Sequence, residues 1–490
     1  MTARIEFGDF QTPIALAEEV LTAIPKLESF DKIIEPTCGT GSFLHACLQR
    51  GMDPRKIAGW ELHPDYVQQA NTNLKKKFAL EQDLVKIQDF FTIDWQSIDT
   101  SQKKVLFIGN PPWVTNTTLG KLQSENLPQK RNSQKLVGIE AMTGKSNFDI
   151  SEWMLRQLLH QLPHTESSLA FLIKTSVARK LFEYTAKNQL CIQDMQIRKF
   201  VARKHFPVHV DACLFLASGC GQQRAVDRYE CKLYTHLSDH KTSSTLGMYQ
   251  GRLLANKSSF SQYRELDTGC EFQWRSGVKH DAAKVMEFTR TERGLCNGYQ
   301  EIVSLPPDYL FPLYKSSDIS KTTLPPPRKM LLVTQKRLAE ETESIREYSP
   351  ATWQYLCKHR QKLDGRKSSI YKLSPRFAIF GIGGYTFSPW KIAISGLYKN
   401  LQFSKIGRYR GKPIVLDDTC YMLDFALEAQ ADLAQRLLNS QVCRELLRSL
   451  TFLDQKRPVT MSLLNRINLR AIAEKTNLLR EYEKTFRART

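Results

Sequence analysis

Short apolar runs alternate with stretches of helical spacing along the first part of the chain. Four runs predict buried strands: one at Ile33-Ile34, one ending at Glu61, one at residues 84–91 and one at residues 105–109. Helical spacing is found at residues 42–50, 65–78 and 146–162. Residues 167–184 predict a strand that leads into a helix, and residues 202–218 predict a turn followed by a strand. This alternation predicts an α/β fold with parallel strands.

The run at residues 105–109 leads into Asn110-Pro111-Pro112-Trp113. Two consecutive prolines stop ladder pairing, fix φ and remove two N–H donors, so the carbonyl oxygens there remain available to a ligand. An asparagine oxygen beside a proline carbonyl makes a pair of acceptors that suits a planar amino group, and Trp113 offers a stacking face. The alternative interpretation is a proline turn with a tryptophan in the core.

The stretch EPTCGTGSF at residues 35–43 places a glycine turn between a strand and a helix. Such a unit binds a nucleotide-like ligand over the helix N-terminus. The stretch lacks the GxGxxG dinucleotide pattern and the Lys-Ser/Thr of a phosphate-binding loop. Glu35, directly before the turn, suits a cationic ligand better than a pyrophosphate. Glu61, at the tip of the next strand, is placed to accept ribose hydroxyls.

These stretches resemble the motifs of N6-adenine DNA methyltransferases. Asn110-Pro111-Pro112-Trp113 resembles motif IV, (N/D/S)PP(Y/F/W), EPTCGTGSF resembles motif I, and the Phe-x-Thr-Pro pattern that ends at Pro13 resembles motif X. The motif order, with a long region after the last motif, is similar to the γ class of restriction–modification systems. Trp113 replaces the commoner Tyr or Phe but keeps a stacking ring.

The resemblance implies a site for S-adenosylmethionine. It assigns cofactor contacts to Thr12, Pro13, Glu35, Thr37, Cys38, Gly39, Gly41, Glu61, Asp89, Phe90 and Asn110. Among these, Glu35 would meet the α-amino end of the methionine moiety and Glu61 the ribose. Asp89 would meet the adenine amino group, and Phe90 would stack on the adenine ring. A core position is the alternative for Phe90, and a capped amphipathic helix is the alternative for the segment around Pro13.

The resemblance also implies the catalytic residues, which are Asn110, Pro111, Pro112 and Trp113. Asn110 Oδ1 and the Pro111 carbonyl would accept the two N–H groups of adenine N6, so that its lone pair points at the methyl group and transfer is direct. The adenine must leave the duplex to reach them. The stretch around Phe206 resembles motif VIII, whose aromatic ring stacks on the extruded base opposite Trp113. A plain core phenylalanine is the alternative for Phe206.

The second half of the chain predicts a different architecture. The strand–helix alternation stops near residue 222, and basic residues are interleaved with aromatics and glycines beyond it. We therefore expect a Rossmann-like S-adenosylmethionine-dependent methyltransferase domain at residues 1–222. A mixed α+β DNA target recognition domain would follow at 223–421, with a helical region packed on it at 422–490. A polar loop at residues 114–145 would cover the target-base pocket.

The formal net charge of +20 over 490 residues indicates a polyanionic partner. Nucleic acid is therefore the expected partner, and the resemblance implies double-stranded DNA, with a separate restriction endonuclease as a possible second partner. Eleven cysteines occur singly, without CxxC pairs or zinc spacing, so neither disulfides nor a metal is expected. With no apolar run of membrane-spanning length and no signal-peptide layout, we expect an intracellular, prokaryotic, cytoplasmic monomer that associates with the nucleoid through DNA.

Two other functions remain open on the sequence alone. Methyltransferases that act on RNA or on a protein glutamine amide also use an NPP(Y/F) motif, although the large basic C-terminal region favours duplex DNA. The other alternative is a non-catalytic DNA-binding protein with a relict cofactor fold, which the intact Asn110-Pro111-Pro112-Trp113 set disfavours. The glycines of GIGGYTF resemble a kinase loop, but no kinase lysine strand or catalytic loop follows them.

Overall fold

The computed structural model describes residues 10–95, 98, 103–114, 149–221, 226 and 228–486. The chain divides into two compact units, Met1–Ser258 and Ser259–Thr490. The predicted loop over the base pocket falls almost entirely on residues 115–148, which lie outside the described part.

Ten strands of the first unit form one sheet, in the order β10-β9-β8-β6-β7-β5-β4-β1-β2-β3. Their bounds are β1 (Lys32–Glu35), β2 (Ile57–Glu61), β3 (Val85–Ile87), β4 (Val105–Gly109), β5 (Ser168–Lys174), β6 (Ile192–Phe200), β7 (Ala212–Gly219), β8 (Glu230–Tyr234), β9 (Ser244–Tyr249) and β10 (Arg252–Leu254). The neighbours β3-β2-β1-β4-β5 are all parallel, and β7 runs antiparallel to both β5 and β6. The predicted α/β sheet is confirmed.

Helices follow the strands of this sheet as the apolar pattern predicts. They are α1 (Ile14–Ala23), α2 (Ser42–Gln49), α3 (Pro64–Phe78), α4 (Ile150–Leu159) and α5 (Thr175–Lys187); α6 (Lys257–Tyr263) spans the division between the units. All five residues of β4 are buried, as expected for a central parallel strand covered on both faces. Pro13 precedes the first residue of α1, where its missing N–H costs no hydrogen bond.

The parallel direction of the strands decides where the candidate site lies. The carboxyl ends of β1, β2, β3 and β4 share one edge of the sheet, and there the chain carries Glu35, Glu61, Asp89 and Asn110. This edge is where open α/β sheets bind their ligands.

The first unit continues past the predicted boundary at residue 222. Strands β8 to β10 extend the sheet beyond β6, through the parallel pairing of β8 with β6, before the chain enters the second unit. These strands are short, and β9 and β10 do not alternate polar with apolar residues, so the sequence pattern alone did not distinguish them from loops.

The second unit is mixed α+β. Its strands are β11 (Arg275–Ser276), β12 (Glu287–Thr291), β13 (Gly294–Asn297), β14 (Ile302–Val303), β15 (Leu310–Tyr314), β16 (Lys329–Leu332), β17 (Trp390–Ser395), β18 (Ser404–Ile406), β19 (Arg408–Tyr409), β20 (Lys412–Pro413), β21 (Val415–Leu416) and β22 (Cys420–Phe425). They form sheets in the orders β11-β22-β17-β18, β14-β13-β12-β16-β15-β21 and β19-β20. Its short helices before residue 420 are α7 (Ala283–Met286), α8 (Ser316–Ile319), α9 (Ile345–Tyr348), α10 (Pro350–Lys358) and α11 (Arg360–Asp364).

The prediction that a helical region begins at Met422 is wrong at its start. Met422 lies in β22, which pairs with β17 along six residues. The helices begin six residues later, with α12 (Glu428–Leu438), α13 (Gln441–Leu450), α14 (Met461–Leu464), α15 (Leu469–Lys475) and α16 (Leu479–Phe486). A short apolar run such as CYMLDF fits a buried strand and a buried helix equally well by periodicity, and tertiary pairing decides between them.

No helix among the described residues is long and apolar enough to cross a membrane. In the same residues, no cluster of three or more His, Cys, Asp or Glu side chains has the arrangement of a metal site. The eleven cysteines are present as thiols.

Candidate active site

The side-chain amide of Asn110, directly after β4, is held in one orientation. Its Nδ2 donates to the main-chain oxygen of Phe10 at 3.0 Å and to Oγ1 of Thr12 at 3.3 Å. Because a carbonyl oxygen can only accept, the NH₂ group must point to Phe10 and Oδ1 must point away from it. Oδ1 is buried and has no hydrogen-bond partner among the described residues, so it is an acceptor left over for a ligand.

Trp113 is fixed to β5 at two points. Its indole Nε1 donates to the carbonyl oxygen of Leu172 at 3.1 Å, and the main-chain carbonyl oxygen of Trp113 accepts a hydrogen bond from Nζ of Lys174 at 3.0 Å. The same Nζ lies 2.6 Å from Oδ2 of Asp149, a buried carboxylate that caps α4. The turn that carries Asn110 and the two prolines is therefore anchored where it leaves the site.

The rings of Trp113 and Phe206 are in direct contact. Their centroids lie 5.4 Å apart with the planes inclined at 69°, and both rings also approach Phe10, at 6.2 and 6.1 Å. A flat base between two parallel rings needs about 7 Å between them. The predicted pair of aromatic residues is therefore brought together, but in this structure the two rings pack on each other and leave no space for a base.

Glu35 ends β1 and is buried at the glycine turn. Its Oε2 has no hydrogen-bond partner among the described residues. Burial, followed by the nearby carboxylate of Glu61, raises the pKa of Glu35 well above its usual value, and the N–H of Leu44 lowers it. A buried carboxyl group with an unused oxygen is stabilised in its charged form by a cationic ligand.

The turn after Glu35 brings the main chain close to the ligand edge of the sheet. Gly39 and Gly41 have φ of +51° and +82°, in the left-handed region that favours glycine. The Oγ1 of Thr37 is buried without a hydrogen-bond partner in the part of the chain that is described. Cys38 is buried, and this burial raises the pKa of its thiol well above the usual value, which disfavours the nucleophilic thiolate.

Glu61, at the tip of β2, holds the glycine turn. Its Oε2 accepts a hydrogen bond from the N–H of Gly39 at 2.8 Å, and its Oε1 accepts one from the N–H of His63 at 3.0 Å. Each oxygen keeps a second lone pair for a further donor. The structure thus places Glu61 at the tip of β2 beside the glycine turn, which it helps to shape.

Asp89 and Phe90 lie just beyond β3. Oδ1 of Asp89 accepts from the N–H of Phe91 at 2.9 Å and caps a short 3₁₀ turn. Phe90 is 4% exposed and packs against Trp95, with ring centroids 4.8 Å apart, and against Trp153 at 6.4 Å. Phe90 therefore has the contacts of a core residue in an aromatic cluster, which leaves both interpretations of it open.

Several residues of this arrangement were missed by the sequence analysis. Gln11 accepts from N and Oγ1 of Thr40 at 3.0 Å and closes over the glycine turn, and Phe10 orients Asn110. Neither has a local signal beyond its place in the Phe-x-Thr-Pro pattern. Lys174 did have one, because a charged residue at the carboxyl end of a buried strand is a candidate for the ligand edge.

The type II methyltransferase M.NspV of a Nostoc species is 42% identical over 476 residues, which cover 96% of this chain and 98% of that protein. The type II methyltransferase M.CvrRI of a Paramecium bursaria Chlorella virus is 34% identical over 115 residues, 24% of this chain and 27% of that protein. No protein-family model matches the chain.

Among solved structures, the type IIL restriction–modification enzyme MmeI, determined in complex with DNA, aligns with a TM-score of 0.55 and 14% identity. The alignment covers 95% of this chain and 65% of the MmeI chain. At this identity the likeness is one of fold, and it extends through both units of the chain.

Proposed function

Because the chain belongs to the type II methyltransferases of restriction–modification systems, we propose that it transfers a methyl group from S-adenosylmethionine to N6 of adenine in duplex DNA. The observation that carries this proposal is the orientation of Asn110. Its NH₂ group is engaged by Phe10 and Thr12, and its buried Oδ1 has no partner among the described residues. A free acceptor at a proline corner is what an exocyclic amino group requires.

The residues at the strand tips fit S-adenosylmethionine. Two buried atoms without partners in the described part of the chain, Glu35 Oε2 and Thr37 Oγ1, lie on the turn that the cofactor would cover. In this proposal Glu35 holds the cationic amino end, the spare lone pairs of Glu61 accept the ribose hydroxyls, and Asp89 binds the adenine amino group. When bound, the cofactor supplies an electrophilic sulfonium methyl group.

The protein's contribution to the chemistry is to orient the amino group. Asn110 Oδ1 and the Pro111 carbonyl would each accept one N–H, which withdraws the N6 lone pair from conjugation and directs it toward the methyl group. Pro112 keeps the turn rigid because its φ is fixed. No side chain has to form a covalent bond with the substrate.

The target base would enter between Trp113 and Phe206, and one ring must then move. Trp113 is bound to Leu172 and Lys174 through its indole nitrogen and its carbonyl oxygen, whereas the phenyl ring of Phe206 has no polar atom and packs against neighbouring rings. We therefore assign the movement to Phe206, on the segment between β6 and β7. Extrusion of the base and this ring movement are coupled in the proposal.

The charge of the chain favours a nucleic acid over a protein amide, and its membership of the type II methyltransferases of restriction–modification systems favours DNA over RNA. A polyanion stabilises a protein with a net charge of +20, whereas the glutamine side chain of a protein substrate carries no charge. We further propose that the protein acts as a monomer in the cytoplasm of a prokaryote, and that a separate endonuclease is its partner.

The test is to incubate the purified chain with labelled S-adenosylmethionine and plasmid DNA, structured RNA or protein, and then to identify the methylated product by mass spectrometry of nucleosides and peptides. We expect N6-methyladenine in the DNA. Label in cytosine N4, in RNA or in protein alone would refute the assignment of the substrate.

A further inference from the structure

A basic cleft in the second unit is not used by the proposed reaction. It has a volume of about 500 Å³, and Lys399, Asn400, Gln402, Asn439, Arg444 and Arg448 line it together with two leucines. None of the eight lining residues is acidic. Three cationic groups and three amides therefore surround a space of the size of a small ligand, and they create a positive potential in it.

The walls of the cleft are fixed to each other. Asn439, which follows α12, accepts a hydrogen bond from the N–H of Phe403 at 2.9 Å and donates one to the oxygen of the same residue at 2.7 Å. Ser440 caps α13 by accepting from the N–H of Cys443 at 3.2 Å. Asn439 thus links the segment that carries Lys399 to the start of the helix that carries the two arginines.

The two arginines lie four residues apart on α13, so they extend from the same face of the helix. Like charges at this spacing oppose helix formation unless an anion lies between them. Arg448 is exposed and pairs at 2.8 Å with the partly buried Glu445, and a pair with one exposed member adds little stability, so an anionic ligand can compete for Arg448. Within the described residues, neither Lys399 nor Arg444 forms an ion pair.

We propose that this cleft binds phosphate groups of the DNA backbone and fixes the duplex on the second unit. Guanidinium groups match the geometry of phosphate oxygens. The Nδ2 of Asn400 already donates to the oxygen of Ser320 and to Oε1 of Gln402, so Nε2 of Gln402 is the amide donor in this proposal. The cleft makes no base contact in this account, so it contributes affinity without sequence preference. The inference rests on the proposed DNA substrate.

The experiment compares R444Q with R480Q in the full-length protein. Arg480 is an exposed arginine on α16 of the same unit, so both variants lose the same charge. Binding to a duplex oligonucleotide is measured over a range of NaCl concentrations. We expect R444Q to lower the slope of log Kobs against log salt by about 1, with about tenfold weaker binding at low salt, whereas R480Q keeps the wild-type slope.

Equal slopes and affinities for R444Q and R480Q would overturn the inference while leaving the proposed methylation intact, because wild-type transfer to DNA is measured separately. Absence of DNA binding by the wild type would overturn both. A second arm adds inorganic phosphate and records thermal unfolding. Phosphate that stabilises the wild type but not R444Q, without any difference between the variants in DNA binding, would show a free-phosphate site and contradict the assignment to the backbone.

Discussion

Lys174 donates a hydrogen bond of 3.0 Å to the carbonyl oxygen of Trp113 and lies 2.6 Å from the carboxylate of Asp149. The bond joins the end of β5 to the end of the proline turn. Lys174 touches neither reactant in the proposed reaction, so it acts as a positioning residue for the turn.

We predict that K174M lowers both stability and methyl transfer. The change leaves the buried carboxylate of Asp149 without its partner, which costs about 3 kcal/mol, and it frees the carbonyl of Trp113. Urea unfolding and single-turnover transfer measure the two effects. The matched control is K187M, which breaks an exposed pair with Glu183 on α5 and costs at most about 1 kcal/mol.

The variant K174R separates stability from positioning, since arginine keeps the charge near Asp149 but cannot place a single ammonium on the carbonyl of Trp113. We expect stability close to wild type with slower transfer. Wild-type transfer by K174M at a temperature where it is folded would exclude the positioning role.

A second prediction concerns Glu35 and the pH dependence of cofactor binding. Burial, and then Glu61, raise the pKa of Glu35 well above its usual value, so its carboxyl keeps its proton to higher pH than an exposed glutamate does. The carboxylate is the form that binds a cationic amino group. The affinity for S-adenosylmethionine should therefore rise with pH as Glu35 loses its proton, at pH values below the range where the cofactor's own amino group titrates.

Calorimetric titrations of wild type and E35Q check this. We expect E35Q to bind more weakly and without the rise. Parallel pH curves for the two proteins would contradict the proposed contact between Glu35 and the amino group of the cofactor.

The strand tips and the glycine turn were predictable because the signals are local. Glu35, Gly39 and Glu61 lie at the ends of short apolar runs, and a parallel sheet brings such ends to one edge without further information. The contact between Phe10 and Asn110 joins residues 100 positions apart, and no pattern within either segment indicates it. The direct packing of Trp113 on Phe206 was likewise inaccessible, because periodicity does not give ring orientations.

In the second unit, short strands limit how much of the secondary structure can be predicted from the sequence. Strands of two or three residues, such as Arg275–Ser276 and Ile302–Val303, carry too few positions for an alternating pattern. They exist because neighbouring strands pair with them, which is a tertiary effect.

A third prediction concerns stability in acid. Burial raises the pKa of Glu287, but hydrogen bonds from His280, Lys315 and Lys329 outweigh this effect and lower the pKa to about 2. A carboxylate whose pKa is lower in the folded state contributes stability above its unfolded pKa of about 4.5 and loses it as the pH falls toward 2. The contribution is up to about 3 kcal/mol.

The measurement is the difference in urea unfolding free energy between wild type and E287Q at several pH values. The difference should shrink as the pH falls below about 4.5, since the protonated carboxyl resembles the amide. A difference that stays constant over this range would mean that the lysines do not hold Glu287 charged.

The central claim is that Asn110 Oδ1 accepts a hydrogen bond from the target amino group, and N110A tests it most directly. The measurement is single-turnover methyl transfer to DNA, with S-adenosylmethionine binding determined in parallel and the exposed-amide variant N188A as control. The account predicts that N110A slows transfer by about 100- to 1000-fold while cofactor affinity changes little, and that N188A behaves as wild type. Transfer by N110A within a few-fold of the wild-type rate would contradict it.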